Sequence, residues 1–418
     1  MARCLRVGTM RTMPSMRSCS PSLLLLLFVL QGAGAAIAQA PWPVGVRDVA
    51  FANATGQGSS TLAARVLYPA TTAGNNAPLV PQPGGWPVIV FLHGFALLGN
   101  SYQSLGSDWA ANGFVVVLGN TAQFDNVGQE ADGRATFAAL VAANAEPNGF
   151  FAGAFDLQRT ALAGHSMGGG NVANVLAQNP GYRCGVALAP VPPRGSNGSL
   201  VAVPLAIVAG DGDTITPPGS NAVPYYQSLP QDLPLRVLYR LDGSASHTNL
   251  AGLFVFGGSS AAVFERSAAV ALACVRFGLD LSPFALEQVV GPAALAEPRL
   301  VVCERGFGSP QPWLETAVRP GVTVRASVGS EPGLAALAIA PGPRIAPLST
   351  PFGALRIDPA AALILGFGAV GSERRLDVLV APPNDPALVG GLWSLQALGP
   401  TAIAPLAFGG AIEIRVAP

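Results

Sequence analysis

Short, continuous apolar runs recur along the first 280 residues and alternate with segments of helical spacing. The apolar runs cover residues 86–95, 113–121, 159–166, 185–191, 204–213 and 235–247, the last of which continues into a loop. Runs of this kind are typical of strands buried on both faces of a parallel sheet. The segments with helical spacing cover residues 104–113, 131–146, 169–180 and 259–280. This alternation predicts an α/β fold: a mostly parallel, doubly wound sheet with helices on both faces.

The pattern changes near residue 305. From there the chain is rich in Gly and Pro, and its short strand-like runs cover residues 322–328, 353–357, 375–382, 392–398 and 411–418. No long helical period appears in this part, so we predict a small all-β domain, a sandwich or partial barrel. We therefore divide the chain into a catalytic domain at 39–305 and a C-terminal β module at 306–418. The module has no histidine and few clustered acids, and we assign it no chemistry.

The N-terminus has the features of a targeting segment. Four arginines, at positions 3, 6, 11 and 17, precede the apolar run 23–30, and Ala36-Ile37-Ala38 has the form of a cleavage site. A membrane anchor is the alternative, but the run is too short for it. The sequence thus predicts a signal peptide at 1–38, a mature chain that begins near Gln39, and a secreted, extracellular or periplasmic protein.

Composition excludes several classes of function. The formal net charge is zero, so the chain lacks the basic surface that nucleic acids or anionic lipids attract. All 23 cationic residues are arginine, which excludes a Schiff-base lysine, a P-loop lysine and a Ser-Lys dyad. After the first 38 residues no apolar run is long enough to suggest a membrane span. Oligomeric state stays open.

Three cysteines follow the predicted signal peptide: Cys184, Cys274 and Cys303. An odd number allows at most one disulfide between them in an oxidising compartment. Cys274 is in the closing helical segment and Cys303 is near the domain boundary. We expect a Cys274–Cys303 bridge, with the third thiol free.

The strongest chemical signal is Gly164-His165-Ser166-Met167-Gly168, which joins a strand-like run to a helix-like segment. A G-x-S-x-G turn in this context lifts the serine out of the sheet, and its glycines allow close backbone approach. The amide of Met167 then lies at a helix N-terminus, where it can stabilise developing negative charge. A glycine-rich helix entry without activity is the alternative.

A serine nucleophile needs a base, and the chain has three histidines. His165 adjoins the serine and His93 ends an earlier strand, so we expect structural roles for both. His247 follows the last strand, and it alone comes after Ser166, as the order nucleophile, acid, base requires. The supporting carboxylate should lie between them, at a strand end.

Three carboxylates are candidates for the acid: Asp211 and Asp213 after the run 204–213, and Asp242 as the weakest. One of the first two is expected to serve as a turn or N-cap residue. The segment Phe91-Leu92-His93-Gly94-Phe95 supplies the second oxyanion donor, the amide of Phe95, in the loop where such a fold places it.

In the order FLHGF, LAGHSMGGG, VAGDGDTITPP and SASHTN, these motifs resemble the cutinase and polyester-hydrolase branch of the dienelactone-hydrolase-like α/β-hydrolases. They are more distantly similar to plant chlorophyllases and platelet-activating-factor acetylhydrolases. The resemblance covers roughly residues 45–280. It implies an α/β-hydrolase fold and selects Asp213 over Asp211, which makes the triad Ser166, Asp213 and His247.

The same resemblance implies that Phe95 and Met167 donate the oxyanion-hole amides and line the acyl side of a cleft together with Ile215. Two positions depart from the family. Val191 stands where polyester-degrading members carry tryptophan, and Thr248 stands where many cutinases have phenylalanine. Both changes make aromatic polymers poorer substrates while leaving ester hydrolysis intact.

We therefore expect a secreted serine esterase that needs no metal or organic cofactor. Its substrates would be small or polymeric esters with short to medium acyl chains, and it would have no nucleic-acid partner. A lipase or acyltransferase on the same triad is one alternative. A secreted binding protein with an inert hydrolase fold is the other.

Overall fold

One ten-stranded sheet organises the chain as far as residue 306. The computed structural model describes residues 41–178, 181–254 and 257–418, so the predicted signal peptide lies outside the described residues. The strands of this sheet are β1 Val44–Ala52, β2 Thr61–Pro69, β3 Gly74–Asn75, β4 Trp86–Leu92, β5 Val115–Gly119, β6 Phe155–His165, β7 Cys184–Leu188, β8 Leu205–Gly210, β9 Arg236–Leu241 and β10 Leu300–Gly306. Their order across the sheet is β10-β9-β8-β7-β6-β4-β5-β2-β1-β3.

The six central strands, from β9 across to β5, all run parallel. On the two sides of this parallel block, β2 pairs antiparallel with β5, and β10 pairs antiparallel with β9. Every residue of β7 and β8 is buried. This explains the continuous apolar runs in the sequence, because a parallel strand is covered on both faces.

The helices are α1 Gln103–Ala111, α2 Asn126–Ala145, α3 Met167–Leu176, α4 Ala222–Ser228, α5 Gly258–Gly278, α6 Glu287–Val290 and α7 Pro292–Leu295. Side chains of α1 and α5 join the apolar core on one face of the sheet. Those of α2, α3 and α4 join the core on the other face. The predicted doubly wound α/β architecture is confirmed.

Helix α5 has an unusually apolar composition. Among the described residues it is the one helix long and apolar enough to cross a membrane by length and composition, and 50% of its most apolar window is buried. Val270, Ala271 and Leu272 on this helix belong to the core beneath the sheet. Packing inside the protein therefore accounts for the composition.

The strand order places a natural crevice at one edge of the sheet. Strand β4 has β5 on one side and β6 on the other, so the chain reverses its direction of winding at β4. At the carboxyl ends of the two adjacent strands, Leu92 of β4 pairs with Gly164 of β6. Open α/β sheets bind ligands at such a switch point.

The chain after residue 306 is all-β apart from one short 3₁₀ turn, as expected. Its strands are β11 Gln311–Leu314, β12 Val324–Gly329, β13 Gly333–Pro341, β14 Leu348–Thr350, β15 Gly353–Leu355, β16 Leu363–Val370, β17 Arg375–Val380, β18 Leu392–Gly399 and β19 Ala407–Arg415. Two sheets, β11-β12-β17 and β16-β13-β18-β19, share one apolar core. This is a sandwich, accompanied by the hairpin β14-β15.

The β module packs firmly on the described α/β part. Phe307 and Trp313 are buried in the core of the α/β part. The indole of Trp313 donates a hydrogen bond of 3.0 Å to Glu287, which also accepts from Arg325 at 2.6 Å. The described residues belong to one compact unit. The division at 305/306 falls at the end of β10 and stays a prediction.

The expected disulfide is wrong, because Cys184, Cys274 and Cys303 are all free thiols. Cys303 lies with its Sγ 4.0 Å from the carbonyl of Val289. Burial raises the pKa of all three thiols, that of Cys184 to about 12. Buried, protonated thiols of this kind are inert.

Candidate active site

Ser166 occupies the junction between the last residue of β6 and the first of α3. Its backbone has φ 57° and ψ −117°, a left-handed region that non-glycine residues rarely adopt. Such a tight turn requires glycine nearby: a Cβ on Gly164 would lie 2.3 Å from the carbonyl oxygen of Gly168. The serine side chain is half-buried, so the turn presents its hydroxyl at the edge of the sheet.

Hydrogen bonds fix the backbone of this turn. The Ser166 N–H donates to the carbonyl of Leu188, at the end of β7, at 3.0 Å. The Ser166 carbonyl accepts from the N–H groups of Gly170 and Val191, both at 3.1 Å. The elbow is therefore tied both to α3 and to the loop after β7.

Asp213 and His247 are brought together from the loops after β8 and β9. Asp213 Oδ2 lies 2.8 Å from His247 Nδ1, and both side chains are buried. Because a carboxylate can only accept here, Nδ1 carries the proton and Nε2 remains available to exchange one. Burial opposes the charge of Asp213, but hydrogen bonds from His247 and Thr216 outweigh it and lower the pKa of the carboxyl.

Thr216 completes the support of this carboxylate and was missed by the sequence reasoning. Its Oγ1 lies 2.7 Å from Asp213 Oδ2, 3.1 Å from His247 Nδ1 and 2.9 Å from the carbonyl of Ala189. The amides of Ile215 and Thr216 donate to Asp213 Oδ1 at 2.9 and 2.8 Å. The spacing D-x-x-T could have suggested this turn, since aspartate often accepts from amides two and three residues on.

The other two candidate acids have different partners. Asp211 forms an ion pair of 2.6 Å with Arg240. Asp242 accepts hydrogen bonds from the amide and hydroxyl of Ser244 and so stabilises its own turn. Within the described part of the chain, neither carboxylate bonds to His247.

His165 connects the elbow to the histidine loop. Its imidazole lies 4.5 Å from that of His247 between ring centroids. Its Nε2 is 2.8 Å from the carbonyl oxygen of His247. Burial and the neighbouring His247 lower the pKa of His165 to about 3, so this ring stays neutral.

The amides of Phe95 and Met167 flank the elbow. Phe95 follows β4, whose carboxyl end lies beside that of β6. Met167 is the first residue of α3, so its N–H has no partner inside the helix. Among the described residues, no protein acceptor pairs with either amide. Both N–H groups are therefore free to bind an anionic oxygen.

His93 connects the loop that carries Phe95 to neighbouring elements by hydrogen bonds. Its ring is buried, and Nε2 lies 2.8 Å from the carbonyl of Thr121, after β5. Gln129 of α2 donates to the His93 carbonyl at 2.9 Å. The loop that carries Phe95 is thus anchored to two neighbouring elements.

The surface around these groups is apolar. Phe95 is 58% exposed and Phe124 is 65% exposed, and their rings meet edge to face at 5.5 Å. Ile215 is 66% exposed, whereas Met167 is buried at 6%. Val191 is half-buried. The sequence analysis did not predict a role for Phe124, because no motif surrounds it. Phe124 contacts Phe95 because the two residues follow the neighbouring strands β5 and β4.

Comparisons with known proteins agree with this architecture. A family model described as PET hydrolase-like matches residues 33–257, just over half of the chain. A bis(hydroxyethyl) terephthalate hydrolase of Streptomyces coelicolor is 29% identical over 191 residues, which is 46% of this chain and 56% of that protein.

Cutinases of Thermobifida give similar matches. Cutinase 1 of Thermobifida cellulosilytica is 30% identical over 206 residues, 49% of this chain and 71% of its own length. A cutinase of Thermobifida fusca is 30% identical over the same number of residues, 62% of its own length. The chain thus spans between about half and three quarters of the length of these relatives. The family match identifies the doubly wound sheet as an α/β-hydrolase fold. The resemblance drawn from the motifs is confirmed: the chain belongs to the PET hydrolase-like family.

Proposed function

We propose that this protein hydrolyses carboxylic esters with Ser166 as nucleophile, His247 as general base and Asp213 as its supporting acid. The observation that carries the proposal is the hydrogen bond of 2.8 Å between Asp213 Oδ2 and His247 Nδ1. It fixes the histidine tautomer in the loop that packs beside the strained serine turn. The names of the relatives, cutinases and a terephthalate ester hydrolase, support the same class of reaction.

The proposed reaction uses these three residues as a catalytic triad. His247 Nε2 takes the proton as Ser166 Oγ bonds to the ester carbonyl carbon. The carbonyl oxygen becomes an oxyanion that accepts from the amides of Phe95 and Met167. Collapse of this intermediate expels the alcohol, protonated by His247, and leaves an acyl-serine. Water, deprotonated by the same histidine, then releases the acid and restores the serine.

The substrates that fit best are esters of short to medium aliphatic acids. Phe95 and Ile215 offer exposed apolar surface close to the proposed oxyanion donor and the acid, and Phe124 extends it. Val191 gives no aromatic face on the loop after β7. A polyester chain could lie on such a surface, but with weaker stacking.

The direct test replaces the nucleophile. Ser166→Ala should abolish hydrolysis of p-nitrophenyl butyrate while the purified variant keeps its circular dichroism spectrum and melting temperature. Ser199→Ala is the matched control, since Ser199 is exposed on the loop after β7 and should retain full turnover. If Ser166→Ala hydrolysed the ester at the rate of the Ser199→Ala control, the triad would be refuted.

We also propose that the enzyme acts outside the cytoplasm. The proposal rests on the arginines, the apolar run and the A-x-A site within residues 1–38. Expression in a secreting host, followed by N-terminal sequencing of protein from the medium or periplasm, should give a chain that begins near Gln39. Uncleaved protein held in the cells would contradict it.

A further inference from the structure

A buried chain of hydrogen bonds joins three loops at the carboxyl edge of the sheet. The N–H of Gly94, after β4, lies 2.9 Å from the hydroxyl of Tyr102. That hydroxyl is 2.8 Å from Nδ1 of His165, the last residue of β6. Nε2 of His165 is 2.8 Å from the carbonyl oxygen of His247, after β9.

The proton positions along this chain are determined by its two ends. A backbone carbonyl can only accept, so His165 carries its proton on Nε2 and donates to His247. Because the ring is neutral, its Nδ1 is an acceptor, and the Tyr102 hydroxyl must donate to it. The tyrosine oxygen then accepts from Gly94. Every donor has one acceptor, and no alternative arrangement satisfies both ends.

These groups are buried and closely packed. Tyr102 is 0% exposed and His165 is 1% exposed, and the Tyr102 ring packs 4.6 Å from Phe91 of β4. A side chain at Gly94 would crowd its neighbours: a Cβ there would lie 3.0 Å from the tyrosine hydroxyl and 3.3 Å from Ser166 Cβ. The loop therefore passes close to the elbow.

We propose that Tyr102 and His165 are positioning residues that hold the oxyanion loop and the backbone of His247 in register with Ser166. The inference rests on the proposed function, since Gly94 immediately precedes the amide donor Phe95. Tyr102 acts on the donor side and His165 on the base side. Neither touches the substrate.

The far side of the same loop is held independently. The N–H of Ala96 donates to the carbonyl of Gln123 at 3.0 Å, and the Gln123 side chain donates to the Ala96 carbonyl at 2.8 Å. Phe95 lies between this anchor and the Tyr102 bond to Gly94. Removing the tyrosine hydroxyl therefore frees the side of the loop that faces the serine while the loop stays attached to the protein.

Loss of the Tyr102 hydroxyl should weaken stabilisation of the transition state more than it weakens substrate binding. An oxyanion forms only as Ser166 attacks, so a misplaced Phe95 amide lowers kcat and changes KM little. Tyr102→Phe also leaves the Gly94 N–H and His165 Nδ1 without partners in a buried site. We expect kcat on p-nitrophenyl butyrate to fall about tenfold or more, with KM within about twofold.

A purely structural tyrosine provides the control. Tyr182 is also 0% exposed, and its hydroxyl donates a hydrogen bond of 2.7 Å to the carbonyl of Gly133. It precedes β7, at the amino edge of the sheet, away from the catalytic loops. Tyr182→Phe should lower the melting temperature as much as Tyr102→Phe does, yet keep kcat. Equal kcat for the two variants would overturn the proposal.

Two variants of His165 test the base side, including the case in which Tyr102→Phe fails to fold. The Gln amide can reach the place of Nε2 and still donate to the His247 carbonyl, whereas Leu cannot. His165→Gln should therefore retain more kcat than His165→Leu. Adding Tyr102→Phe to His165→Leu should lower kcat further, because the tyrosine hydroxyl still binds the Gly94 N–H in the His165→Leu variant and is lost in the double variant. Equal kcat for the Gln and Leu variants, or no further loss in the double variant, would contradict the proposal.

Ser166→Ala measured beside them separates the two claims. If Ser166→Ala is inactive and Tyr102→Phe behaves like Tyr182→Phe, the positioning role fails and the proposed function stands. If Ser166→Ala turns over the ester normally, the proposed function itself fails.

Discussion

Asp211 and Asp213 are two positions apart in the sequence but occupy opposite surroundings. Asp211 is paired with Arg240 at the protein surface. Asp213 is 3% exposed and accepts from two amides, a threonine hydroxyl and an imidazole. The residues alone left the choice between them open, and the family resemblance selected Asp213. The spacing D-x-x-T indicates the turn that follows Asp213, but it does not show that the Thr216 hydroxyl faces both Asp213 and His247.

The first prediction compares the two aspartates. Asp213→Asn removes the negative charge behind His247 and can supply an N–H where an acceptor is needed, which favours the wrong tautomer. In a serine protease, the equivalent change lowers kcat by roughly 10⁴-fold. We expect a loss of that order for Asp213→Asn and less than about twofold for Asp211→Asn, measured as kcat on p-nitrophenyl butyrate. A greater loss in the Asp211 variant would contradict the assignment.

The second prediction concerns acid stability and His165. In the folded protein the pKa of His165 is lowered from 6.5 to about 3, because the ring is buried. The unfolded chain therefore takes up a proton at this histidine below pH 6.5 that the folded chain refuses. The contribution of His165 to the free energy of unfolding is therefore fully present above pH 6.5. It is lost as the pH falls towards 3, by up to about 1.4 kcal/mol per pH unit.

Urea unfolding at several pH values between 4 and 6.5 checks this effect. The free energy of unfolding of the unmodified protein should fall with acidification in that range, and His165→Gln should fall less steeply. The lowered pKa of Asp213 acts with the same sign but below its usual value of 3.8, so it contributes little in this window. Parallel curves for the two proteins would contradict the prediction.

At the scale of elements, the sequence predicted the central strands and helices because their burial leaves a simple pattern. Each apolar run from residue 86 to 213 contains a parallel strand, and the elbow lies where the glycines indicated. Strand β13 was missed since Gly and Ala fill five of its nine positions. Tyr102 was missed because its role depends on how the start of α1 docks against β4 and β6.

The third prediction addresses the contact between the β module and the α/β part. Trp313 is buried in the α/β core and lines a cleft with Pro204 and Pro234, which precede β8 and β9. This cleft is at the amino edge of the sheet, opposite the catalytic loops. Trp313→Ala should therefore destabilise the protein by about 3–5 kcal/mol while leaving kcat per folded molecule unchanged.

Denaturant unfolding with Trp393→Ala as control checks this prediction. Trp393 is half-buried in β18 and packs against the module's own core, so its loss should cost less. If Trp313→Ala unfolded at the same denaturant concentration as the unmodified protein, the module would not share a core with the α/β part.

For the whole molecule, the chain order of motifs determined most of the functional interpretation. The family match at 33–257 overlaps most of the segment of about 45–280 that the motifs suggested. The prediction of a disulfide was wrong because neither the spacing of the cysteines nor an oxidising compartment shows where the three thiols point. Cys184 and Cys303 each face a backbone carbonyl instead. Substrate preference is a property of the complete surface, so it is the least accessible from sequence.

The fourth prediction concerns that preference. Phe95, Phe124 and Ile215 form exposed apolar surface, which we expect to accept acyl chains. Val191 has no aromatic face that could stack on an aromatic ring. Stacking contributes on the order of 0.5–1.5 kcal/mol beyond burial. We expect higher kcat/KM on butyrate and octanoate esters than on bis(hydroxyethyl) terephthalate, with slow hydrolysis of polyester film.

Val191→Trp should raise the rate on terephthalate by up to about tenfold and leave the butyrate rate nearly constant. Val191→Leu serves as the control for size without an aromatic face. Fast film hydrolysis by the unmodified protein, together with poor turnover of butyrate and octanoate, would show that other residues bind the aromatic ring.

The central claim is that Ser166 is a nucleophile activated by His247, and covalent labelling tests it most directly. A p-nitrophenyl alkylphosphonate should add one phosphonyl group per molecule, and peptide mapping by mass spectrometry should locate it on Ser166. Ser166→Ala should take up no label, and His247→Ala should react far more slowly while remaining folded. Label on another residue, or equal labelling of the folded His247→Ala variant, would contradict the account.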